Sequence, residues 1–334
     1  MQVSYLTMGL NRGTPRLWLE GRRLGKAGFE PGARYRIEAN TDDWSLRLVL
    51  DPAGNRRVSG KKRGTTPLPI IDLCDAGLAP AGTRVRAVIE RGVITITIHH
   101  EAMNRHTREA AIATVARGER PLREATICVG IGISTAALHQ GLEESGVDAK
   151  VDWIVDVEGR YLDMADRNVA CITDDTRLFQ AAVEEVEPDL VTPVDLLSMS
   201  LPCTNHSKAG KSKRGIKVAE EGADAATCLF GAVALIRASN PALVTSENVL
   251  EARSSTMYLL LQHELMRVGY RLFEPESAAL PYSLRHAVVT PLLRTGVRVQ
   301  RHGSPPCNRR TPGPGNARLT PPAGARDRGT MVVV

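Results

Sequence analysis

No apolar run in this 334-residue chain approaches the roughly 20 residues that a membrane-spanning helix needs, so none of it is expected to cross a bilayer. Its opening, MQVSYLTMGLNRG, has neither a charged start nor an apolar stretch, and no secretory leader is expected. The six cysteines are scattered with no Cys-x-x-Cys pair. That spacing argues against a zinc ribbon and against a secreted disulfide framework, so no metal is expected and a reducing cytoplasm is the simplest setting. Aromatic residues make up only 4% of the chain against 43% hydrophobic residues overall. The core must therefore be built mainly from Leu, Val, Ile and Ala. Lysine is absent from residues 275–334, which hold nine arginines and nine of the 20 prolines.

Charge is unevenly spread. Residues 1–123 carry +9, residues 124–274 carry −10 and residues 275–334 carry +7, giving the net +6. An acidic middle between two basic ends points to separate regions, and basic flanks suit a polyanionic partner as well as a merely solvated surface.

The first hundred residues contain a repeat. LGKAGFEPGARYRIE (24–38) is echoed by LCDAGLAPAGTRVRAVIE (73–90), pairing Ala27 and Gly28 with Ala76 and Gly77, Pro31 with Pro80, and Arg34 and Arg36 with Arg84 and Arg86. Each copy runs on into a strand-like segment, SLRLVL (45–50) and VITITI (93–98). Each half alone is too small for a comfortable core, so two intertwined halves forming one small β-barrel are expected. The stretch RLWLEGRRLGKAGFEPGARYRIE resembles SymE-type toxin domains, which are AbrB-like swapped-hairpin barrels; that resemblance implies nucleic-acid binding. Lys61, Lys62 and Arg63, read as a turn between the halves, would contact phosphates or simply solvate a hairpin. Residues 1–100 are thus taken as this module and 101–123 as a basic helical linker.

From residue 124 strand and helix signals alternate: ATICVGIG, STAALHQGLEESG, VDWIVDVE, RYLDMADRN, VDLLSMSLPC, ADAATCLFGAVALIRASN, PALVTSENV and SSTMYLLLQHELMRVG. That alternation predicts an α/β fold with a doubly wound parallel sheet over 124–274, in which ligands bind at the carboxyl ends of the strands. Gly130 and Gly132 follow the first strand and Asp156 closes the second. A glycine pair and an acid at those places would fit NAD, a flavin or S-adenosylmethionine equally.

Further along, Pro202-Cys203-Thr204-Asn205-His206-Ser207 ends the third apolar strand, and Glu247-Asn248-Val249 ends the fourth, 44 positions after Cys203. With the glycine loop, these motifs resemble the DNA cytosine-5 methyltransferase family. The resemblance covers about 125–274. It implies a class I, Rossmann-like methyltransferase core using S-adenosylmethionine, held by Gly130, Gly132, Asp156 and Pro202. It implies Cys203 as the nucleophile and Glu247 as its partner on the base. Carbon 5 of cytosine is a poor nucleophile, and thiolate addition at carbon 6 makes it an enamine-like one. Glu247 would hold the exocyclic amine and ring nitrogen 3 as charge builds there. DNA with the target cytosine flipped out is the implied partner, gripped by Ser207, Lys208, Lys211, Lys213 and Arg214, and nucleoid association would follow. The same Cys and Glu logic fits cytosine in RNA. Asn248 is expected to order the strand end.

Several positions depart from the family pattern. Ile133 stands where the loop usually has a third glycine, and would crowd the cofactor if its backbone needed positive φ. Cys171 falls where an adenine-binding acid is usual, with Asp174 and Asp175 as substitutes, and Thr204 follows Cys203 in place of Gln. No Gln-x-Arg-x-Arg strand or recognition domain is recognisable after 274; Arg285 is the one candidate. Residues 275–334 read as a basic Pro/Arg-rich tail without regular structure, native or frameshifted. An active methyltransferase, a truncated inactive one and a regulator acting through the N-terminal barrel all remain open.

Overall fold

The computed structural model describes residues 1–40, 44–63, 66–74, 77–202, 212–213, 215, 217, 223–272 and 329–333. The chain divides into two compact units, Met1–His106 and Thr107–Val334.

Unit 1 is all-β apart from the five-residue helix α1 (Arg22–Lys26) and the start of α2 (His100–Ala116), which runs across the division. Its strands are β1 (Gln2–Thr7), β2 (Gly9–Asn11), β3 (Thr14–Glu20), β4 (Arg34–Asn40), β5 (Ser45–Leu50), β6 (Arg56–Arg57), β7 (Ser59–Arg63), β8 (Thr66–Cys74), β9 (Arg84–Glu90) and β10 (Val93–Ile98). They form two antiparallel sheets, ordered β1-β9-β10-β5-β4-β6 and β2-β3-β8-β7. Exchanging β1–β5 for β6–β10 reverses both orders and leaves each unchanged, so the unit has an internal two-fold. The halves are interleaved, since β1 pairs with β9 and β6 with β4. The axis passes between Arg47 and Thr95, which face each other in the β5–β10 pair.

The core repeats the same symmetry. Met8 and Val58, Phe29 and Leu78, Tyr35 and Val85, and Leu48 and Ile96 occupy equivalent places, and all are buried in one cluster. Alternation along each strand sends one residue in two to that cluster, which is why Thr and Ile alternate in β10. The two repeat segments open on different elements: Leu24 lies on α1 and Leu73 on β8. Among the described residues the second half has no counterpart of α1, and the residue equivalent to Leu73 is Leu19.

Unit 2 holds a six-stranded sheet ordered β13-β12-β11-β14-β15-β16. Its strands are β11 (Leu122–Ile127), β12 (Ala149–Asp156), β13 (Arg177–Gln180), β14 (Leu196–Met199), β15 (Leu243–Val249) and β16 (Gly329–Val333). The first five in the order are parallel, and β16 pairs antiparallel with β15. Of residues 275–334, β16 is the part that is described. Helices α3 (Ile133–Glu144), α4 (Gly159–Asn168), α5 (Ala223–Ser239) and α6 (Thr256–Arg267) connect the strands. This is the doubly wound α/β sheet expected from the strand–helix alternation.

The near-continuous apolar character of β12 follows from burial on both faces. Trp153 and Val155 enter the cluster with Leu229 and Leu261 from α5 and α6, while Val151 and Ile154 enter another with Leu162 and Ala165 of α4. Trp153 is fully buried and its Nε1 donates to the Thr192 carbonyl at 3.2 Å; its loss would cost about 3–5 kcal/mol. Arg108 is anchored in this unit, donating to the Val268 carbonyl at 2.8 Å and lying 4.0 Å over the Tyr270 ring.

Candidate active site

The strand order reverses direction between β11 and β14. β11 leads outward to β12 and β13, whereas β14 leads the other way to β15. Crevices form at the carboxyl ends of strands where such a reversal occurs, and ligands of open α/β sheets bind there. Gly130 and Gly132 follow β11, Pro202 follows β14, and Asp156 and Glu247 close β12 and β15, so all five lie along this edge.

The chain turns sharply out of β11. Cys128 adopts φ 55°, Gly130 φ 55° and Gly132 φ 80°. A left-handed conformation costs a non-glycine residue about 1–2 kcal/mol, and strain of this kind gathers at functional turns. Cys128 and Cys228 of α5 are hydrogen-bonded to one another, and that bond together with burial pushes the Cys128 thiol well above its ordinary pKa.

The two glycines serve different ends. A Cβ at Gly132 would lie 2.6 Å from Cγ2 of Val169 and 3.3 Å from Cβ of Ala165, so this glycine lets α3 pack against α4 and the segment beyond it. A Cβ at Gly130 would meet nothing within 4 Å. Its bare backbone therefore faces open space, as a turn that cradles a bound group must. Ile133, the feared obstruction, is the first residue of α3, has no positive φ and is 62% exposed. The positive φ falls one residue earlier, on Gly132.

Asp156 braces the turn. Its Oδ2 accepts the Gly130 N–H at 2.8 Å and its Oδ1 accepts the Glu158 N–H at 3.0 Å. The carboxylate is buried, yet each oxygen retains a lone pair for a further donor. Val157 and Glu158, just beyond, are exposed, as is Ile131 of the glycine turn.

The third strand changes one expectation. Cys171, Asp174 and Asp175 precede β13, so they lie at the end of the strand away from this edge. The residue at its carboxyl end is Gln180, which pairs in parallel register with Asp156. Gln180 is exposed, and its amide lies 2.8 Å from where a Cβ at Gly159 would be. An amide that can both donate and accept suits the edge of a purine ring. Gln180 was not singled out from the sequence; only the strand register reveals it.

On the other side of the reversal, Met199 pairs with Ser246, so Glu247 lies one residue past the last position of β15 that pairs with β14, and on its other side it faces Met331 of β16. Glu247 is half-buried. Asn248 Nδ2 donates to the Leu201 carbonyl at 3.1 Å, and its Oδ1 accepts the Val249 N–H at 2.8 Å. Asn248 therefore ties the end of β15 to the segment leading into Pro202, which is exposed. Cys203, Ser207, Lys208, Lys211 and Arg214 lie outside the described residues. Lys213 is exposed.

In unit 1, Lys61, Lys62 and Arg63 belong to β7, an edge strand, and not to a turn. Lys61 is exposed. Charged residues on an edge deter unwanted strand pairing. Among the described residues no group of His, Cys, Asp and Glu is placed to hold a metal, and no helix is long and apolar enough to cross a membrane.

Residues 128–273 match the family model of C-5 cytosine-specific DNA methylases. No curated protein matches the chain. Among solved structures it is similar to the S. pombe Dnmt2 methyltransferase, at 16% identity over 47% of this chain and 43% of that one, with a TM-score of 0.34. It is similar to a Spodoptera frugiperda DNMT2 variant at 19% identity over 46% and 43%, with a TM-score of 0.35. The Entamoeba histolytica methyltransferase EhMeth matches at 14% identity over 47% of each chain, again with a TM-score of 0.35. The chain thus spans less than half the length of each of these structures.

Proposed function

We propose, from the match of residues 128–273 to the family model of C-5 cytosine-specific DNA methylases, that the protein methylates carbon 5 of cytosine in DNA with S-adenosylmethionine as the methyl donor. The observation that carries this reading is the matched span, which takes in both sides of the strand reversal: the Gly130–Asp156 turn and the Pro202 and Glu247 strand ends.

The donor fits the first side. Open space at Gly130 admits a group close to the backbone, and Asp156 has lone pairs left for ribose hydroxyls. Gln180 supplies an amide for the adenine edge. When bound, S-adenosylmethionine supplies an electrophilic methyl group. Every other task falls to the chain. The Cys203 thiolate adds to carbon 6 of the cytosine ring, which raises electron density at carbon 5. Glu247 hydrogen-bonds the exocyclic amine and nitrogen 3, stabilising the charge that develops there. Loss of the carbon 5 proton to a base then expels Cys203 and restores the aromatic ring. Asn248 holds the approach to Pro202 in place, which sets where the thiol is delivered. The base must leave the duplex stack to reach the site. Lys208, Lys211, Lys213 and Arg214 would grip backbone phosphates around it.

Covalent trapping tests the proposal. The full chain is mixed with S-adenosylmethionine and DNA containing 5-fluorocytosine, beside Cys203→Ala, and run on a denaturing gel. A shifted band in the wild type that is lost in the variant is expected. No band from a folded wild-type chain would leave a methyltransferase scaffold without its chemistry. A band only when RNA carries the fluorinated base would move the substrate to RNA.

A further inference from the structure

β15 runs on past the strand inside it. β14 pairs with Leu243–Ser246 and stops at Met199. Among the described residues, the last three of β15 have β16 as their one strand partner: Glu247, Asn248 and Val249 face Met331, Thr330 and Gly329. Burial changes at the same place, since residues 243–246 are buried and 247–249 are half-buried. Directly after Val249 the chain enters a 3-10 turn, Leu250–Ser254. Glu247 thus stands on a strand end that projects beyond its inner neighbour, where strands ordinarily fray.

The direction of the amides shows how β16 holds that end. The Leu243 N–H donates to the Asp195 carbonyl at 3.0 Å, so it faces the β14 side. Backbone amides alternate in direction along a strand, so those of Thr245, Glu247 and Val249 face the same way. The Val249 N–H agrees: it is taken by Oδ1 of Asn248, whose Nδ2 reaches the Leu201 carbonyl just past β14. The amides and carbonyls of Ser246 and Asn248 therefore face β16, where their partners in register are Val332 and Thr330. The two residues that flank Glu247 are the ones β16 grips. Met331, opposite Glu247 itself, turns its own N–H to the outer edge of the sheet.

We infer that β16 is a positioning segment for Glu247: by pairing with Ser246 and Asn248 it keeps the Glu-Asn-Val end of β15 extended and Glu247 in place beside the strand reversal. Asn248 ties this end from the inner side through Leu201, and β16 ties it from the outer side. The consequence for chemistry rests on the proposed methylation, in which Glu247 holds the base; the pairing itself does not. A displacement of about 1 Å in such a group is enough to cost about 100-fold in rate.

Proline substitution along β16 of the full chain tests this, because proline removes one backbone donor at a time. Thr330→Pro and Val332→Pro each remove an amide that faces β15. Met331→Pro removes one that faces away, a position at which an edge strand tolerates proline. Each variant is compared with wild type by hydrogen exchange of the amides of residues 246–249, by affinity for S-adenosylmethionine, and by trapping on DNA containing 5-fluorocytosine. In Thr330→Pro and Val332→Pro the exchange should quicken at least about 10-fold and trapping should slow at least about 10-fold, with cofactor affinity unchanged. Met331→Pro should match wild type in all three. Unchanged exchange in Val332→Pro, or equal effects of all three substitutions, overturns the inference. Faster exchange with undiminished trapping also overturns it, as does a parallel loss of cofactor affinity, which would make β16 a general prop of the sheet. A wild-type chain that traps no DNA overturns the methylation reading and the part of Glu247 in it. The exchange contrast between Val332→Pro and Met331→Pro then still decides whether β16 holds this strand end.

Discussion

The carboxylate of Asp156 accepts the backbone N–H of Gly130 at 2.8 Å, joining the ends of two neighbouring strands through one charged hydrogen bond. Asp156→Asn keeps the volume but can present only one acceptor oxygen to two amides. Loss of a charge-assisted bond costs about 1.5–3 kcal/mol. Calorimetric titration with S-adenosylmethionine should show affinity weakened by at least about 10-fold, with a small drop in melting temperature. Unchanged affinity would remove Asp156 from the cofactor site.

The two glycines of the turn should separate stability from binding. Gly132→Ala places a Cβ 2.6 Å from Val169 at φ 80°, and overpacking with strain should destabilise by about 2–4 kcal/mol. Gly130→Ala meets nothing within 4 Å and should cost only about 1 kcal/mol for its φ, yet it fills the space offered to the cofactor. Denaturation midpoints and binding measured on both variants check the contrast. Equal effects on both quantities would contradict it.

Asn248→Ala removes the bond to the Leu201 carbonyl. Cofactor binding on the far side of the reversal should be unaffected, while the trapping rate with 5-fluorocytosine DNA falls about 10-fold, as expected when a positioning contact worth about 1–1.5 kcal/mol is lost. A fall in cofactor affinity instead would place Asn248 in a different role.

The His139–Glu124 pair makes stability depend on alkaline pH. Burial pulls the His139 pKa down, but the hydrogen bonds to Cys171 and Glu124 outweigh it and hold it at about 10, against an ordinary 6.5. A raised folded-state value means the stabilisation is complete below about pH 6.5 and is lost as pH climbs through about 10. The difference in urea midpoint between wild type and His139→Gln should therefore be largest near neutrality and shrink toward about pH 10.5. A difference constant over that range would show that His139 is not charged in the fold.

Much of the architecture is legible in the residues. The alternation of apolar runs and helical stretches from ATICVGIG to SSTMYLLLQHELMRVG announces the parallel sheet, and the duplicated Ala-Gly and Arg-x-Arg segments announce the internal symmetry. What was hidden depends on register or on distant pairing. Gln180 becomes a candidate for the site only through its parallel pairing with Asp156. Glu124 and His139 are 15 positions apart, on a strand and a helix, and no periodic pattern links them. The extra helix α1 in the first half is also hidden, because similarity of letters cannot reveal an insertion so short.

One polypeptide carries both interleaved halves of unit 1. Its assembly is therefore unimolecular and does not depend on protein concentration, unlike that of an obligate dimer. Equivalent positions are also released from the requirement to be identical. Arg36 is held by Glu38 at 2.8 Å and Asp51 at 2.9 Å, whereas its counterpart Arg86 faces Tyr5 across the strand pair. Two arginines in matching places thus have unlike cross-strand surroundings, so the two ends of this pseudo-symmetric surface can be tuned separately.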